Sequence, residues 1–232
     1  MPGSKSDYTE NNIMKSVFQA TAYPLPAGLY VALFNALTTQ ANRDANNATH
    51  TATEVVGNAY ARVNLAPTAG NWPITGAAPA TVHNGAVVNF ATPTGSWGTI
   101  YAFGMYDALT VGNLLYWGDM VGNILSGYCS QASPGLISSS AHGLVVNNQV
   151  RVWSPVNMGF AALPTGLADE TIYYVGSVPS PDTFTLSTTT ANGSPVNTST
   201  SGQVMFALDQ SQVVSTGNTV QFAVNGITVT ED

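Results

Sequence analysis

Ionisable side chains are scarce in this sequence. Asp, Glu, Lys and Arg make up 7% of its 232 residues, against about 25% in an average soluble domain. Apolar residues reach 44%, enough for a sizeable core, so the low charge does not mean disorder. Five bases (Lys5, Lys15, Arg43, Arg62 and Arg151) stand against twelve acids, a net charge of −7. A basic patch cannot be built from so few cations, which argues against contact with nucleic acid through phosphate neutralisation. Cysteine is almost absent. Cys129 stands alone, allows no disulfide within the chain and reads as a small buried apolar residue of a protein made in the cytosol. Residues 1–20 lack the continuous apolar core of a secretory leader, and no run of 18 apolar residues predicts a membrane span.

The motifs of catalysis are missing too. His50, His83 and His142 are far apart and form neither HxH nor HExxH, whereas a metal needs at least three converging ligands. His142 reads as part of an AHGL turn. Asp169 and Glu170 are adjacent, and on a strand they would point to opposite faces instead of facing each other across a glycosidic bond. Asp107, Asp119 and Asp209 fall at predicted strand ends, where turn-forming Asp is common. There is no GxSxG, no Cys–His pairing of known spacing and no phosphate-cradling glycine loop. The sequence therefore predicts a non-enzyme with no cofactor and no metal.

What is present is a β pattern behind one helix. Residues 6–22 predict the helix: Asp7 and Glu10 resemble a capping box, and Ile13, Met14, Val17 and Phe18 make one apolar stripe at helical spacing. That stripe must cover something, on its own domain or on a neighbouring subunit, which makes these four residues the candidate contact surface. Pro24 and Pro26 end the helical pattern. LYVALF (29–34) reads as a strand buried on both faces. A polar loop is expected over 35–53, renewed strand character over 54–65 with a turn or bulge at Gly57-Asn58, and a second loop over 66–80. Asn84-Gly85 and Asn225-Gly226 are each the strongest short-range hairpin signal, the second making 218–232 a terminal hairpin. Aromatic-rich strands follow at 98–107 and 112–119. Trp97, Tyr101, Tyr106, Tyr116 and Trp117 are expected in the core, while Trp72, inside the Pro/Gly-rich loop, is the aromatic expected to be exposed for contact.

Composition shifts near residue 121. From there, short strands at 149–154, 171–178 and 182–187 alternate with turn-rich segments. The fold class expected is all-β: a sandwich or barrel body with a short N-terminal helix and a second, smaller inserted β-domain. The domains are expected at 1–120, at 121–206 for the insertion, and at 207–232 for a hairpin completing the body.

The stretches DYTENNIMKSVFQATAYPLPAGLYVALF, TEVVGNAYARVNL, SWGTIYAFGMYDALTVGNLLYWGDM and GNTVQFAVNGITVTED resemble, in order, a family of small virion proteins of tailed bacteriophages that are labelled tail-fibre-like. The resemblance covers roughly 6–120 and 207–232. Residues 127–203, with AHGLVVNNQVRVW and ALPTGLADETIYYVGSVPSPDTFTLSTTT, resemble a second module found in phage virion proteins. Asn147-Asn148 stands where that module's pattern has a glycine, a departure that still permits a turn. The resemblance implies a virion structural protein assembled in the host bacterial cytoplasm, in contact with the major capsid protein or other virion proteins, and a homotrimer. The chain has no repeats or heptads for a fibre shaft, so a capsid decoration (cement) protein is the first expectation. A tail-fibre or tail-adaptor component, a host-glycan-binding module and a depolymerase are the alternatives.

Overall fold

The structure is a computed structural model that describes residues 3–36, 53–76, 80–155 and 161–231. The loop expected over 35–53 thus lies mostly outside the described residues. Two compact units emerge: Met1–Met120 with Ser211–Asp232, and Val121–Gln210. Both are β-structures, and the one α-helix among the described residues is Asp7–Gln19, so the expected all-β class with a short N-terminal helix holds. No helix among the described residues is long and apolar enough to cross a membrane.

In the first unit, the apolar run YVALF becomes the strand Tyr30–Phe34 of a five-stranded antiparallel sheet. The sheet order is Gly3–Lys5, Leu114–Asp119, Ala102–Tyr106, Tyr30–Phe34, Val63–Asn64. Alternate side chains of a strand leave by opposite faces, and here both faces are covered. Val31 and Leu33 enter a large cluster with Trp97, Phe103 and Phe222, while Ala32 and Phe34 enter a second with Tyr106, Leu114 and Trp117. Burial on both faces explains why the run carries no polar alternation.

The turn expected at Gly57-Asn58 is present, with Gly57, Asn58 and Ala59 all at positive φ (74°, 51° and 66°), and the strand character expected over 54–65 is confined to Val63–Asn64 and a bridge at Glu54. The Asn-Gly hairpins, by contrast, do not form. Ala80–His83 pairs with Thr228–Glu231, and Val88–Asn89 pairs with Gln221–Phe222. Each predicted hairpin is thus a bent segment laid antiparallel along the other, with its Asn-Gly at the bend. The reason is Asn84, whose side chain holds its own turn and also bonds a segment far along the chain. Its Nδ2 donates to Ala86 O (2.9 Å) and Ala223 O (2.7 Å), and its Oδ1 accepts from Ile227 N (2.7 Å). Gly85 is forced by a different neighbour, the loop before it, since a Cβ there would lie 2.2 Å from Gly70 O.

The second unit is a closed barrel of six antiparallel strands. Around it run Leu125–Cys129, Leu136–Ser138, Thr183–Ser187, Thr171–Ser180, Gln149–Trp153 and Gly202–Leu208, the last pairing back to the first. Its lumen is filled by Cys129, Ile137, Val150, Val152, Tyr173, Val175, Phe184, Leu186, Val204 and Phe206, so it is a packed core with no channel. Closure leaves the sheet without a free edge. The final strand runs past residue 206, where the sequence reading ended the insertion, to Leu208.

Candidate interaction surface

The helix is sewn to the body by its first turn. Its N-cap is Ser6 and not the expected Asp7: the Ser6 hydroxyl accepts from Thr9 N (3.3 Å) and donates to Leu114 O. Ser6 N reaches Leu115 O (3.0 Å), and Thr9 Oγ1 donates to the same carbonyl (2.9 Å). Serine caps better here because its short hydroxyl serves the helix and the strand at once, which leaves Asp7 and Glu10 free to face the positive helix end from solvent. The helix stops at Gln19, with Ala20 left-handed (φ 51°), well before Pro24.

Beyond that turn the helix leaves the body, and Thr9 is its buried residue. Thirteen residues at 1.5 Å each reach about 20 Å, and exposure climbs along them: Ile13 37%, Met14 57%, Val17 68%, Phe18 74%. The four side chains singled out by spacing therefore do share one exposed apolar stripe, and Leu25 just after the helix is exposed as well. Trp72 does not belong to any such surface. It is 8% exposed, and its indole N–H donates to Leu65 O (3.0 Å). The Pro/Gly-rich loop turns this side chain inward because the ring completes the main cluster and its N–H finds a carbonyl there.

A second feature at the body surface gave no sequence signal. Arg62, 7% exposed, grips the Glu54 carboxylate with two bonds, Nε to Oε1 (2.9 Å) and Nη2 to Oε2 (2.7 Å). Its Nη1 donates to Ala108 O (2.9 Å) and Val111 O (2.7 Å), and its guanidinium lies 3.5 Å over the Tyr106 ring. Tyr60 completes the node, donating to Glu54 Oε1 (3.0 Å) and accepting from Leu33 N (2.9 Å). Burial alone would push the Arg62 guanidinium down, but the Glu54 hydrogen bonds and charge outweigh it and raise it. Burial, and then the Glu54 charge, push the Tyr60 phenol up; burial does the same to Tyr106. The loop held by Arg62 is closed at its base by Asp107, whose carboxylate accepts from Asn113 N (2.6 Å) and Nδ2 (2.8 Å). Its tip exposes Leu109 and Val111.

The remaining candidates are structural. Asp169 Oδ1 accepts from Ser154 N (2.7 Å) and Glu170 N (3.1 Å) in the turn before Thr171–Ser180, so the two acids sit in a turn and not on a strand. Asp209, read as a turn residue, is instead ion-paired with Arg151 at 2.9 Å, with side chains 1% and 0% exposed. His142 accepts from Leu144 N (3.0 Å) and packs edge-on against Phe184. Burial pushes the Cys129 thiol up. Among the described residues, no three of His, Cys, Asp and Glu converge. A recess of about 380 Å³ in the body is lined by Ile100, Val213 and Phe222, and one of about 640 Å³ on the barrel by Ile124, Gln203 and Met205; among the described residues neither is lined by an ionisable side chain.

No curated protein matches the chain. Among solved structures, a phage phi92 endosialidase aligns with 70% of this chain and 25% of its own at 17% identity and a TM-score of 0.26. The chain spans about a quarter of that protein's length, and a likeness this weak carries no argument about fold or activity. The family model described as Podophage GP4 fiber I protein gp80 matches residues 4–123, which contain the helix, the five-stranded sheet and the Arg62-held loop. That is more than half of the chain, and the chain belongs to this family: it is a bacteriophage virion protein of the tail-fibre type.

Proposed function

We propose that the chain is a fibre or fibre-adaptor component that attaches to another virion protein through Ile13, Met14, Val17 and Phe18, and that it works by association and not by catalysis. The observation that carries this reading is a helix whose first turn docks through Ser6 and Thr9 while, among the described residues, Ile13, Met14, Val17 and Phe18 stay exposed. Burying an exposed apolar side chain of this size contributes about 1.5–3 kcal/mol, so four adjacent ones make a strong anchor. The scarcity of charge in the chain as a whole leaves few ionised groups to strand when such a surface loses its water. What supports a fibre over a capsid decoration is the family of residues 4–123. The homotrimer implied by the sequence resemblance is part of the same proposal.

The test is a Phe18→Ser, Val17→Ser chain, expressed in place of the native one during phage growth. Neither side chain is buried, so the purified chain is expected to keep its melting midpoint while its copies per particle fall at least tenfold. Normal incorporation would sink the reading. A native copy number matching that of the shell subunit would restore the decoration alternative.

A further inference from the structure

The loop 107–113 is built at a conformational cost that its own fold does not require. Val111 holds φ at 57°, in the left-handed region where a β-branched side chain is an outlier. Among the described residues with positive φ, the others besides glycine are Ala, Asn and Glu, so Val111 is the β-branched one. Strain of this kind persists where surrounding bonds over-determine it. Here Arg62 Nη1 holds the Val111 carbonyl, and the Asp107–Asn113 bonds fix the base. Yet the isopropyl group is 74% exposed and Leu109 is 50% exposed. The fold uses the backbone of Val111 and leaves its side chain in water, although Asn or Gly would take that backbone more easily.

A rigid loop that presents two branched aliphatic groups is preorganised for a preformed apolar recess. Its residues, Asp-Ala-Leu-Thr-Val-Gly-Asn, offer no aromatic face for a sugar and no cation for a phosphate or an anionic lipid. Charge indicates the partner. Leu114 and Leu115, next along the chain, hold the first helical turn, which carries the exposed Asp7 and Glu10, and Tyr8 of that turn is raised by burial and then by Asp107 of the loop. The cation on this segment, Lys5, is only partly exposed. An identical copy docked face to face would set carboxylate against carboxylate, on chains of −7 each.

We propose that the loop is a second docking element, resting on the chain's reading as an associating virion part, and that it seats Leu109 and Val111 in an apolar recess on a different virion protein whose rim carries Lys or Arg. The test is phage grown with Val111→Asn, the helix left intact. Because Asn tolerates the left-handed region, the purified variant is expected to melt at or above the native midpoint. Copies per particle, counted by quantitative mass spectrometry, should fall roughly tenfold or more, from the lost apolar burial. Normal incorporation overturns the proposal. So does sedimentation showing that the native chain self-associates and that Val111→Asn dissociates it, since the occupant is then a second copy. Should Val111→Asn fail to fold, Leu109→Ser repeats the test with the backbone unchanged. The Phe18→Ser, Val17→Ser chain keeps the loop, so loss of one variant from particles without loss of the other separates this proposal from the helix reading.

Discussion

Replacing Arg62 by Met tests the node that shapes the body surface. The side chain is 3% exposed and that of its partner Glu54 is 9% exposed, so Met would leave a buried carboxylate facing no cation. Breaking a buried pair from one side costs about 3–5 kcal/mol. The Ala108 and Val111 carbonyls lose their donor as well, which holds the loss at the upper end of that range. At about 4 °C per kcal/mol for a domain near this size, the body should melt roughly 16–20 °C lower. Tryptophan fluorescence in a thermal or urea titration is the assay, because Trp72, Trp97 and Trp117 lie in the body and only Trp153 lies in the barrel. Arg62→Lys should fall between, since a point charge cannot make the two-bonded contact. Adding Glu54→Leu to Arg62→Met should recover part of the loss but not all of it, because Tyr60 and the two carbonyls stay unserved. A loss below about 1 kcal/mol for Arg62→Met would refute the reasoning, since it would mean that water reaches Glu54 and that the pair is worth no more than a surface one.

Asn84→Ala should destabilise the body by about 2–4 kcal/mol, since Ala223 O and Ile227 N lose buried partners; urea unfolding reads this, and a loss under about 1 kcal/mol would mean the crossing is held elsewhere. Tyr60 and Tyr106 are both raised above their ordinary value of 10.0 by burial, so their contribution to stability is fully present below pH 10 and is lost as pH rises above it, where the unfolded chain releases protons that the fold retains. A pH series of melting midpoints should therefore fall beyond pH 10, and Tyr106→Phe should soften that fall. The same variant should be neutral or slightly stabilising at pH 7, because the Tyr106 hydroxyl is buried without a hydrogen-bond partner among the described residues; a marked loss would show that the hydroxyl is served.

Elements whose burial is local in sequence could be read from it. YVALF announces a strand covered on both faces, and the 3–4 spacing of Ile13, Met14, Val17 and Phe18 announces one helical stripe. Whether that stripe meets its own body depends on where Ser6 and Thr9 find carbonyls, 108 and 106 residues away respectively, which spacing does not encode. Asn84-Gly85 and Asn225-Gly226 misled for a related reason. A turn-forming dipeptide looks the same whether its flanks pair with each other or with a segment 139 residues distant. Trp72 shows that Pro and Gly identify a loop without saying which way its side chains face. The scarcity of charge was legible, but not its use: two of the five cations, Arg62 and Arg151, are sealed in ion pairs where a solvated surface is the ordinary expectation.

The barrel is joined at its own ends. Val121 bridges Asp209, and Gly122 N donates to Leu208 O (2.8 Å), so the chain enters and leaves the barrel at paired residues. This bears on how the body can form at all. Gln212–Val214 must find Gly98–Ile100 across the 90 residues from Val121 to Gln210, and holding the ends of a flexible loop of that length together costs about 4 kcal/mol. A barrel already folded when Ser211 is reached presents those two ends as neighbours, and the search shrinks to that of a short turn. A barrel that folds first would thus act as a clasp for the body strands on either side of it.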